Sequence, residues 1–186
     1  ASAQVELWDD ELNYDLEGLR YFTAPAICPE PDEAADAYLR RVEVNVRELS
    51  GNGRLVIGIG GEHSLTPPLV YAASRNNNDL NGLTVVQIDA HADLRETYEG
   101  TPQSHACATR RLTERGARVI AIGVRAISQP EGEYEKSVNL VEIYRAQTLA
   151  ENSGVEQTLL SQLRELHGDV YLTVDIDGLD PSMCPG

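Results

Sequence analysis

Residues 83–93 read LTVVQIDAHAD, and this stretch decides the fold class of the chain. Its first six residues form a nearly continuous apolar run, which predicts a strand that is buried on both faces of a sheet. The five residues that follow contain three ionisable side chains, Asp89, His91 and Asp93. In parallel sheets, ligands bind beyond the carboxyl ends of the strands, so this cluster stands where chemistry is expected.

Similar apolar runs alternate with helical patterns along the rest of the chain. Strands are predicted at residues 55–59, 83–88, 118–124, 138–143 and 170–174, and helices at residues 32–49, from Thr66 onward, at about 106–115 and at 155–166. Strands separated by helices are typical of a parallel sheet that is covered on both faces. We therefore predict an α/β fold, a three-layer α/β/α domain with a mainly parallel sheet, formed by residues 1–186 as a single domain.

Polar residues follow three of these predicted strands. The run at 55–59 leads into GGEHS at 60–64, the run at 83–88 into DAHAD at 89–93, and the run at 170–174 into DIDGLDP at 175–181. Taken alone, a histidine after a glycine-rich turn is more often a cap or core residue than a ligand, and an Asp pair is often a solvated turn. At one edge of one sheet, however, six such groups would stay unpaired unless a cation held them. The predicted metal ligands are His63, Asp89, His91, Asp93, Asp175 and Asp177.

The donor set indicates which metal would bind. Four carboxylates and two imidazoles without a thiolate favour Mn²⁺ over structural zinc, although nickel or cobalt could use the same donors. Six side chains exceed what one catalytic ion with an open position can use. Two ions bridged by carboxylates and a water molecule would use all six.

The three motifs closely resemble the metal motifs of the ureohydrolase superfamily, which includes arginase, agmatinase, guanidinobutyrase and formimidoylglutamase. The resemblance covers nearly the whole chain, with GGEHS, DAHAD and DIDGLDP in order. The segment RETYEGTPQSHA at 95–106 looks most like agmatinases. The resemblance implies an arginase-like fold and hydrolysis of agmatine to putrescine and urea by a metal-bridging hydroxide.

The resemblance also implies a role for each residue. His63, Asp89, Asp93 and Asp175 would serve one manganese ion, and His91 and Asp177 would complete the second, with Asp89 and Asp175 bridging the two. His105 matches a family histidine that is thought to shuttle protons, and a histidine suits delivery of a proton to a leaving amine near pH 7. Asp180 matches a family aspartate that we expect to be structural.

The sequence departs from the family pattern at both ends. Relatives are usually longer, and their chain continues past a Pro-Gly into a segment with a glutamate that grips the guanidinium. This chain stops at Gly186, so we expect a fragment that lacks N-terminal and C-terminal parts of the domain. Glu62 also stands where many relatives have Asp, a variation at a position that is not a metal ligand.

Three functions stay open at this point. The first is agmatinase, whose substrate is a cation without an α-carboxylate. The second is arginase or guanidinobutyrase, whose substrates carry carboxylates. The third is a non-catalytic metal-binding subunit that keeps the fold, which the shortened C-terminus favours and the six intact ligand positions oppose.

Composition limits the partners of the chain. A net charge of −15 argues against nucleic acid and anionic membranes, because both would repel the protein. The three cysteines include no C-x-x-C pair, and the first residues show no basic region followed by an apolar run of the kind that a secretory signal has. From these patterns we expect a cytoplasmic location. By resemblance we also expect a homo-oligomer, a trimer or hexamer, that acts on a small cationic guanidinium substrate.

Overall fold

The structure, a computed structural model, describes residues 8–51, 53–74 and 79–182. The chain end at Gly186 lies outside these residues. Near the start, the two-residue strands β1 (Trp8–Asp9) and β2 (Tyr14–Asp15) pair in antiparallel fashion. None of the helices in the described ranges is long and apolar enough to cross a membrane.

A four-stranded parallel sheet organises the rest of the described chain. Its strands are β3 (Leu83–Ile88), β4 (Arg118–Val124), β5 (Val141–Arg145) and β6 (Asp169–Val174). They lie in the order β5-β4-β3-β6, and all three neighbouring pairs are parallel. β6 follows β5 in the sequence but lies beside β3, at the opposite edge of the sheet. Because all the strands are parallel, their carboxyl ends lie at one end of the sheet.

Helices cover both faces of this sheet, as the sequence predicts. The helices are α1 (Ala35–Leu49), α2 (Thr66–Ala73), α3 (Ala108–Thr113), α4 (Gln129–Ser137), α5 (Ala146–Glu151) and α6 (Ser153–Arg164). One core lies between β3 to β5 and helices α2 to α4 and includes Val85, Val119 and Leu112. A second core on the opposite face joins Ile120 of β4 to Leu159 of α6, and α1 packs on α2. The α/β class and the three-layer arrangement are therefore confirmed.

The predicted elements agree with the structure to different degrees. β3 and β4 have the predicted bounds, β6 begins one residue early, and α1 begins three residues late. β5 begins three residues later than predicted, because Val138 closes α4 through a hydrogen bond to the carbonyl of Tyr134. The predicted helix at 106–115 is a 3₁₀ turn at His105–Cys107 followed by α3, and Gly116 closes it with a φ of +93°.

The strand prediction for residues 55–59 is wrong. This stretch forms no strand, and its side chains Leu55, Ile57 and Ile59 are 89%, 77% and 97% exposed. A run of apolar residues becomes a strand when its backbone finds a partner, and none of the described strands pairs with this stretch. The apolar pattern is therefore present without the hydrogen-bonded neighbour that would make it a strand.

Candidate metal centre

The three polar motifs come together at the carboxyl edge of the sheet. β3 and β6 are neighbours, and the N–H of Asp175 donates to the carbonyl of Ile88 at 2.8 Å, so the chain leaves both strands side by side. A 3₁₀ turn at His63–Leu65 lies against the same edge, with Nε2 of His63 3.2 Å from Oγ1 of Thr173. Segments far apart in the sequence thus meet in one place.

The first cluster is centred on the imidazole of His63. Its Nδ1 lies 2.9 Å from Oδ2 of Asp89, 2.8 Å from Oδ2 of Asp93 and 3.6 Å from Oδ2 of Asp175. The side chains of His63, Asp89 and Asp93 are 8%, 1% and 5% exposed. Three carboxylates therefore converge on one nitrogen. Water hardly reaches the imidazole, Asp89 and Asp93, whereas the side chain of Asp175 is 31% exposed.

The second cluster is centred on His91 and shares a carboxylate with the first. Nδ1 of His91 lies 3.0 Å from Oδ2 of Asp177 and 3.5 Å from Oδ1 of Asp89. Asp89 thus turns Oδ2 to the first cluster and Oδ1 to the second. One possible ligand atom from each member of the groups His63, Asp89, Asp175 and Asp89, His91, Asp177 lies within 4.8 Å of the others in its group. His91 is about half exposed, so the second cluster is the one open to solvent.

The first cluster has more buried acceptor oxygens than protons to donate to them, which suits a bound cation. Nδ1 of His63 carries at most one proton, so it cannot donate to Asp89 and Asp93 together. Within the described part of the chain, Oδ2 of Asp93 is buried and accepts no hydrogen bond. Asp93 also holds a φ of +52°, a left-handed conformation that a non-glycine residue adopts at an energetic cost. A divalent cation would satisfy this oxygen, and carboxylate and imidazole donors suit Mn²⁺.

The electrostatics of the first cluster show how crowded its negative charge is. Burial opposes the charged form of His63, but the acceptor carboxylates of Asp89 and Asp93 beside Nδ1 outweigh burial and raise the pKa of His63 to about 10. Burial raises the pKa of Asp93. Burial also opposes the charged form of Asp89, yet hydrogen bonds from His63, the His91 N–H and Gln87 lower its pKa. In the metal-free protein a protonated His63 therefore supplies the positive charge of the cluster.

Backbone groups aim two of the carboxylates. In Asp175, Oδ1 accepts from the N–H of Asp177 at 3.1 Å, which leaves Oδ2 facing His63. In Asp177, Oδ1 accepts from the N–H of Ala90 at 3.1 Å, which leaves Oδ2 facing His91. One oxygen of each carboxylate is thus fixed and the other is presented to its cluster, an arrangement that preorganises a ligand.

A buried polar chain supports Asp89 and was not among the residues predicted from the sequence. Nε2 of Gln87 donates to Oδ2 of Asp89 at 2.8 Å, and Oγ1 of Thr109 donates to Oε1 of Gln87 at 2.5 Å. Gln87 is 1% exposed in the middle of β3. A glutamine inside an otherwise apolar strand is the signal that could have found it, because a buried amide needs partners.

Two further residues organise the loop after β6. Nη2 of Arg125, just past β4, donates to the carbonyl of Asp177 at 2.5 Å. Oδ1 of Asp180 accepts from the N–H and the hydroxyl of Ser182 at 2.8 and 2.6 Å, and these bonds lower the pKa of Asp180. Such a turn suits the structural role expected for Asp180, whereas Arg125 had no sequence signal.

His105, the predicted catalytic residue, stands at the start of the 3₁₀ turn before α3. Its side chain is 53% exposed, and its Nδ1 lies 3.0 Å from Oε1 of Glu62. Its ring also packs edge-on against Tyr98, with centroids 5.5 Å apart. Glu62 precedes the ligand candidate His63, so the loop of the first cluster also reaches His105. The structure thus gathers the six predicted ligands, while their metal-binding roles and the catalytic role of His105 stay predictions.

The whole chain is similar to proteins of one family. The sequence model described as "Arginase family" matches residues 1–186. An N(1)-aminopropylagmatine ureohydrolase of Synechocystis sp. is 36% identical over 193 residues, a match that covers 100% of this chain and 60% of the relative. An agmatinase of Bacillus anthracis is 34% identical over 188 residues and is covered to 61%.

Solved structures agree with these sequence matches. The agmatine ureohydrolase of Thermoplasma volcanium superposes with a TM-score of 0.75 at 26% identity, over 98% of this chain and 59% of that one. A formimidoylglutamase of Bacillus subtilis gives a TM-score of 0.80 at 23% identity, over 97% and 57%, which shows a shared fold alone. The chain spans about 60% of the length of the curated relatives named above.

Proposed function

Because the chain belongs to the arginase family, we propose that it forms the metal-binding part of an amidinohydrolase that converts agmatine to putrescine and urea. The observation that carries this proposal is the pair of His and Asp clusters that share Asp89. Two adjacent cation sites joined by one carboxylate are the arrangement that hydrolysis by a pair of ions requires. A single cluster would have suited a structural ion equally well.

We assign two Mn²⁺ ions to this centre. His63, Asp89, Asp93 and Asp175 would hold one ion, and His91 and Asp177 would hold the second with Asp89 and Asp175 bridging. The 2.9 Å between Nδ1 of His63 and Oδ2 of Asp89 and the 3.5 Å between Nδ1 of His91 and Oδ1 of Asp89 support the sharing of Asp89. The bridging role of Asp175 rests on the resemblance to the family, and its contact of 3.6 Å is with His63 of the first cluster. When bound, the ions would lower the pKa of a water molecule so that a nucleophile is available at neutral pH.

The residues of the chain would carry out the remaining steps. The buried carboxylates fix the donor geometry and keep bulk water away from the first cluster, which is 1–8% exposed at three of its side chains. The open side of the second cluster, at His91, is where a guanidinium carbon would enter. His105, exposed on the neighbouring turn, would give a proton to the departing nitrogen so that the amine leaves neutral.

Agmatine is the first choice among substrates, and one observation supports a second. A relative at 36% identity is named an N(1)-aminopropylagmatine ureohydrolase, so the aminopropyl derivative of agmatine is the alternative. Both are cations without a carboxylate, which suits a chain with a net charge of −15. Arginine and guanidinobutyrate stay in the comparison because arginases are also among the relatives, at 34% identity over 131 residues.

The experiment is a urea-release assay on the protein made from its full reading frame. Agmatine, N(1)-aminopropylagmatine, arginine and guanidinobutyrate are each tested with Mn²⁺ and after chelation. We expect Mn²⁺-dependent urea from agmatine or its aminopropyl derivative. His91→Ala should lose one ion per chain and most activity, while Glu156→Ala, an exposed change on α6, should leave both unchanged. Unchanged metal content in His91→Ala would defeat the ligand assignment, and no urea from any compound would favour a non-catalytic metal-binding subunit.

Four statements about the whole protein stay predictions. These are one domain over residues 1–186, a homo-oligomer such as a trimer or hexamer, a cytoplasmic location, and the lack of nucleic-acid or membrane partners. Light scattering on the Mn²⁺-loaded protein measures the oligomeric state directly.

A further inference from the structure

The carboxylate of Glu62 links two segments that are 43 residues apart. Oε2 accepts from the N–H of Ser64 at 3.1 Å and from the Ser64 hydroxyl, within its own turn. Oε1 accepts from the backbone N–H of His105 at 3.1 Å and lies 3.0 Å from Nδ1 of the same residue. Oε2 is thus held by Ser64, while Oε1 contacts both the backbone N–H and the ring Nδ1 of His105.

This contact determines which nitrogen of His105 carries the proton. A carboxylate can only accept hydrogen bonds, so Nδ1 must be the protonated nitrogen in the contact with Glu62. Within the described part of the chain, no side chain or backbone group bonds Nε2 of His105. Nε2 is therefore the nitrogen that is left for a substrate. The edge-on ring of Tyr98, inclined by 64°, limits rotation of the imidazole further.

We propose that Glu62 is the positioning residue of His105: it fixes the Nδ1–H tautomer and the ring orientation so that Nε2 faces the reacting nitrogen. Nε2, open to solvent, takes up a proton from water and gives it to the departing nitrogen, which returns the imidazolium to the neutral Nδ1–H form. Glu62 itself touches neither substrate nor metal in this assignment and acts through His105. A carboxylate behind a working imidazole is a recurring device, because it selects the tautomer and holds the ring in place. The inference rests on the proposed function for its kinetic consequence but not for the tautomer.

The length of the Glu62 side chain matters for this role. Both of its oxygens are used, one for each turn, and a Glu62→Gln side chain has the same reach and keeps one acceptor oxygen. Glu62→Ala has no acceptor at all. The pair of variants therefore separates the negative charge of Glu62 from its acceptor: Glu62→Gln removes only the charge, whereas Glu62→Ala removes both.

The first test measures the tautomer without any turnover. The protein is labelled with ¹⁵N at its histidine rings and freed of metal, and the ring nitrogens of His105 are assigned with His105→Asn. We expect protonated Nδ1 in the parent and in Glu62→Gln, and a change to protonated Nε2 in Glu62→Ala, because free imidazole side chains prefer that form. The Nε2–H form in the parent, or no change in Glu62→Ala, would overturn the proposal.

The second test uses kinetics, with the metal content of every variant measured. Glu62→Ala should lower kcat about 10–100-fold with little change in KM and two ions still bound, as expected for the partner that orients a working side chain. Glu62→Gln should recover most of the loss. In a His105→Asn background, Glu62→Ala should lower kcat by less than about twofold, because the two residues act as one unit.

The outcomes separate this inference from the proposed function. If the losses in kcat of the two single variants multiply in the double variant, or if Glu62→Ala loses manganese, then Glu62 acts through the His63 turn of the metal centre. Either result would overturn the proposal. If the parent protein releases no urea, the proposed function fails, and the tautomer measurement alone decides the role of Glu62.

Discussion

Gly178 offers the sharpest test of the metal centre, because it touches the backbone of a shared ligand. It ends the 3₁₀ turn Ile176–Gly178, directly after Asp175 and Asp177 have supplied their carboxylates. A Cβ built on Gly178 would lie 2.8 Å from the backbone nitrogen of Asp89 and 3.0 Å from its Cα. The contacts are with backbone rather than with a flexible side chain, so no rotamer change can relieve them.

The size of the effect follows from these distances. Ordinary contacts of a Cβ begin near 3.4 Å, so Gly178→Ala must move the turn or β3 by about half an ångström. Metal–ligand distances tolerate only about 0.2 Å of error. We therefore expect Gly178→Ala to weaken Mn²⁺ binding about 10–100-fold, since both clusters take a carboxylate from this turn. Overpacking should also cost about 1–3 kcal/mol of stability in the metal-free protein.

The assay is titration calorimetry with Mn²⁺ on the metal-free protein, combined with chemical denaturation. The matched control is Gly132→Ala in the middle of α4, where a Cβ meets nothing within 4 Å. That variant should bind both ions normally and gain up to about 1 kcal/mol from helix propensity. If folded Gly178→Ala binds two Mn²⁺ ions as tightly as Gly132→Ala does, the reasoning that joins this turn to the metal centre is refuted.

Three further predictions concern the support and charge of the site. Arg125→Ala should weaken one of the two Mn²⁺ sites about 10–100-fold, because the carbonyl of Asp177 loses its 2.5 Å donor; two unchanged affinities in calorimetry would contradict this. The pKa of His63 is raised from 6.5 to about 10, so below pH 10 the metal-free histidine is protonated and Mn²⁺ must displace that proton. The apparent affinity for Mn²⁺ should then rise about tenfold per pH unit from pH 6.5 toward pH 10. Mn²⁺ binding at pH 8 without release of a proton would exclude His63 as a ligand. Glu131→Ala should cost about 2–3 kcal/mol in denaturant unfolding, because the buried Glu131 carboxylate accepts from the Leu94 and Ser128 N–H groups at 3.1 and 2.8 Å; a cost below about 1 kcal/mol would refute this account.

The strands that are buried on both faces are the ones that the sequence predicted best. β3 and β4 have the predicted bounds because both are covered on both faces, and a continuous apolar run leaves their limits unambiguous. The run at 55–59 has the same pattern but no strand beside it among the described residues. The local hydrophobic pattern indicates which side chains a segment can bury. Strand formation also requires a hydrogen-bonded backbone partner elsewhere in the chain.

The missed helix α4 is a different kind of error, because its signal was present. Ser128 and Glu131 form a capping box, in which the Ser128 N–H and hydroxyl both donate to the Glu131 carboxylate at 2.8 and 2.6 Å. The S-x-x-E spacing is readable in the sequence. The helix carries few apolar residues, so hydrophobic periodicity does not indicate it.

The ligand candidates were predictable, but their supports were only partly so. Asp89 and Asp175 follow apolar runs directly, and parallel strands bring such ends together. Gln87 could have been noticed as a polar residue inside a strand. Glu62 and Arg125 could not, because each acts across a fold-dependent gap, of 43 residues to His105 and 52 residues to Asp177. Motif spacing describes contacts along one loop and says nothing about such partners.

The metal centre also bears on the stability of the sheet edge. β6 is an edge strand of the described sheet, and its side chains Val170, Leu172 and Val174 are 48%, 60% and 54% exposed. Apolar packing therefore contributes less to β6 than to β3, whose Val85 is fully buried. An ion bound by Asp175, by Asp89 after β3 and by His63 would link β6 to β3 and to the His63 turn. Because a ligand that binds the native state stabilises it, chelation should loosen β6 before β3, in the order of their apolar burial.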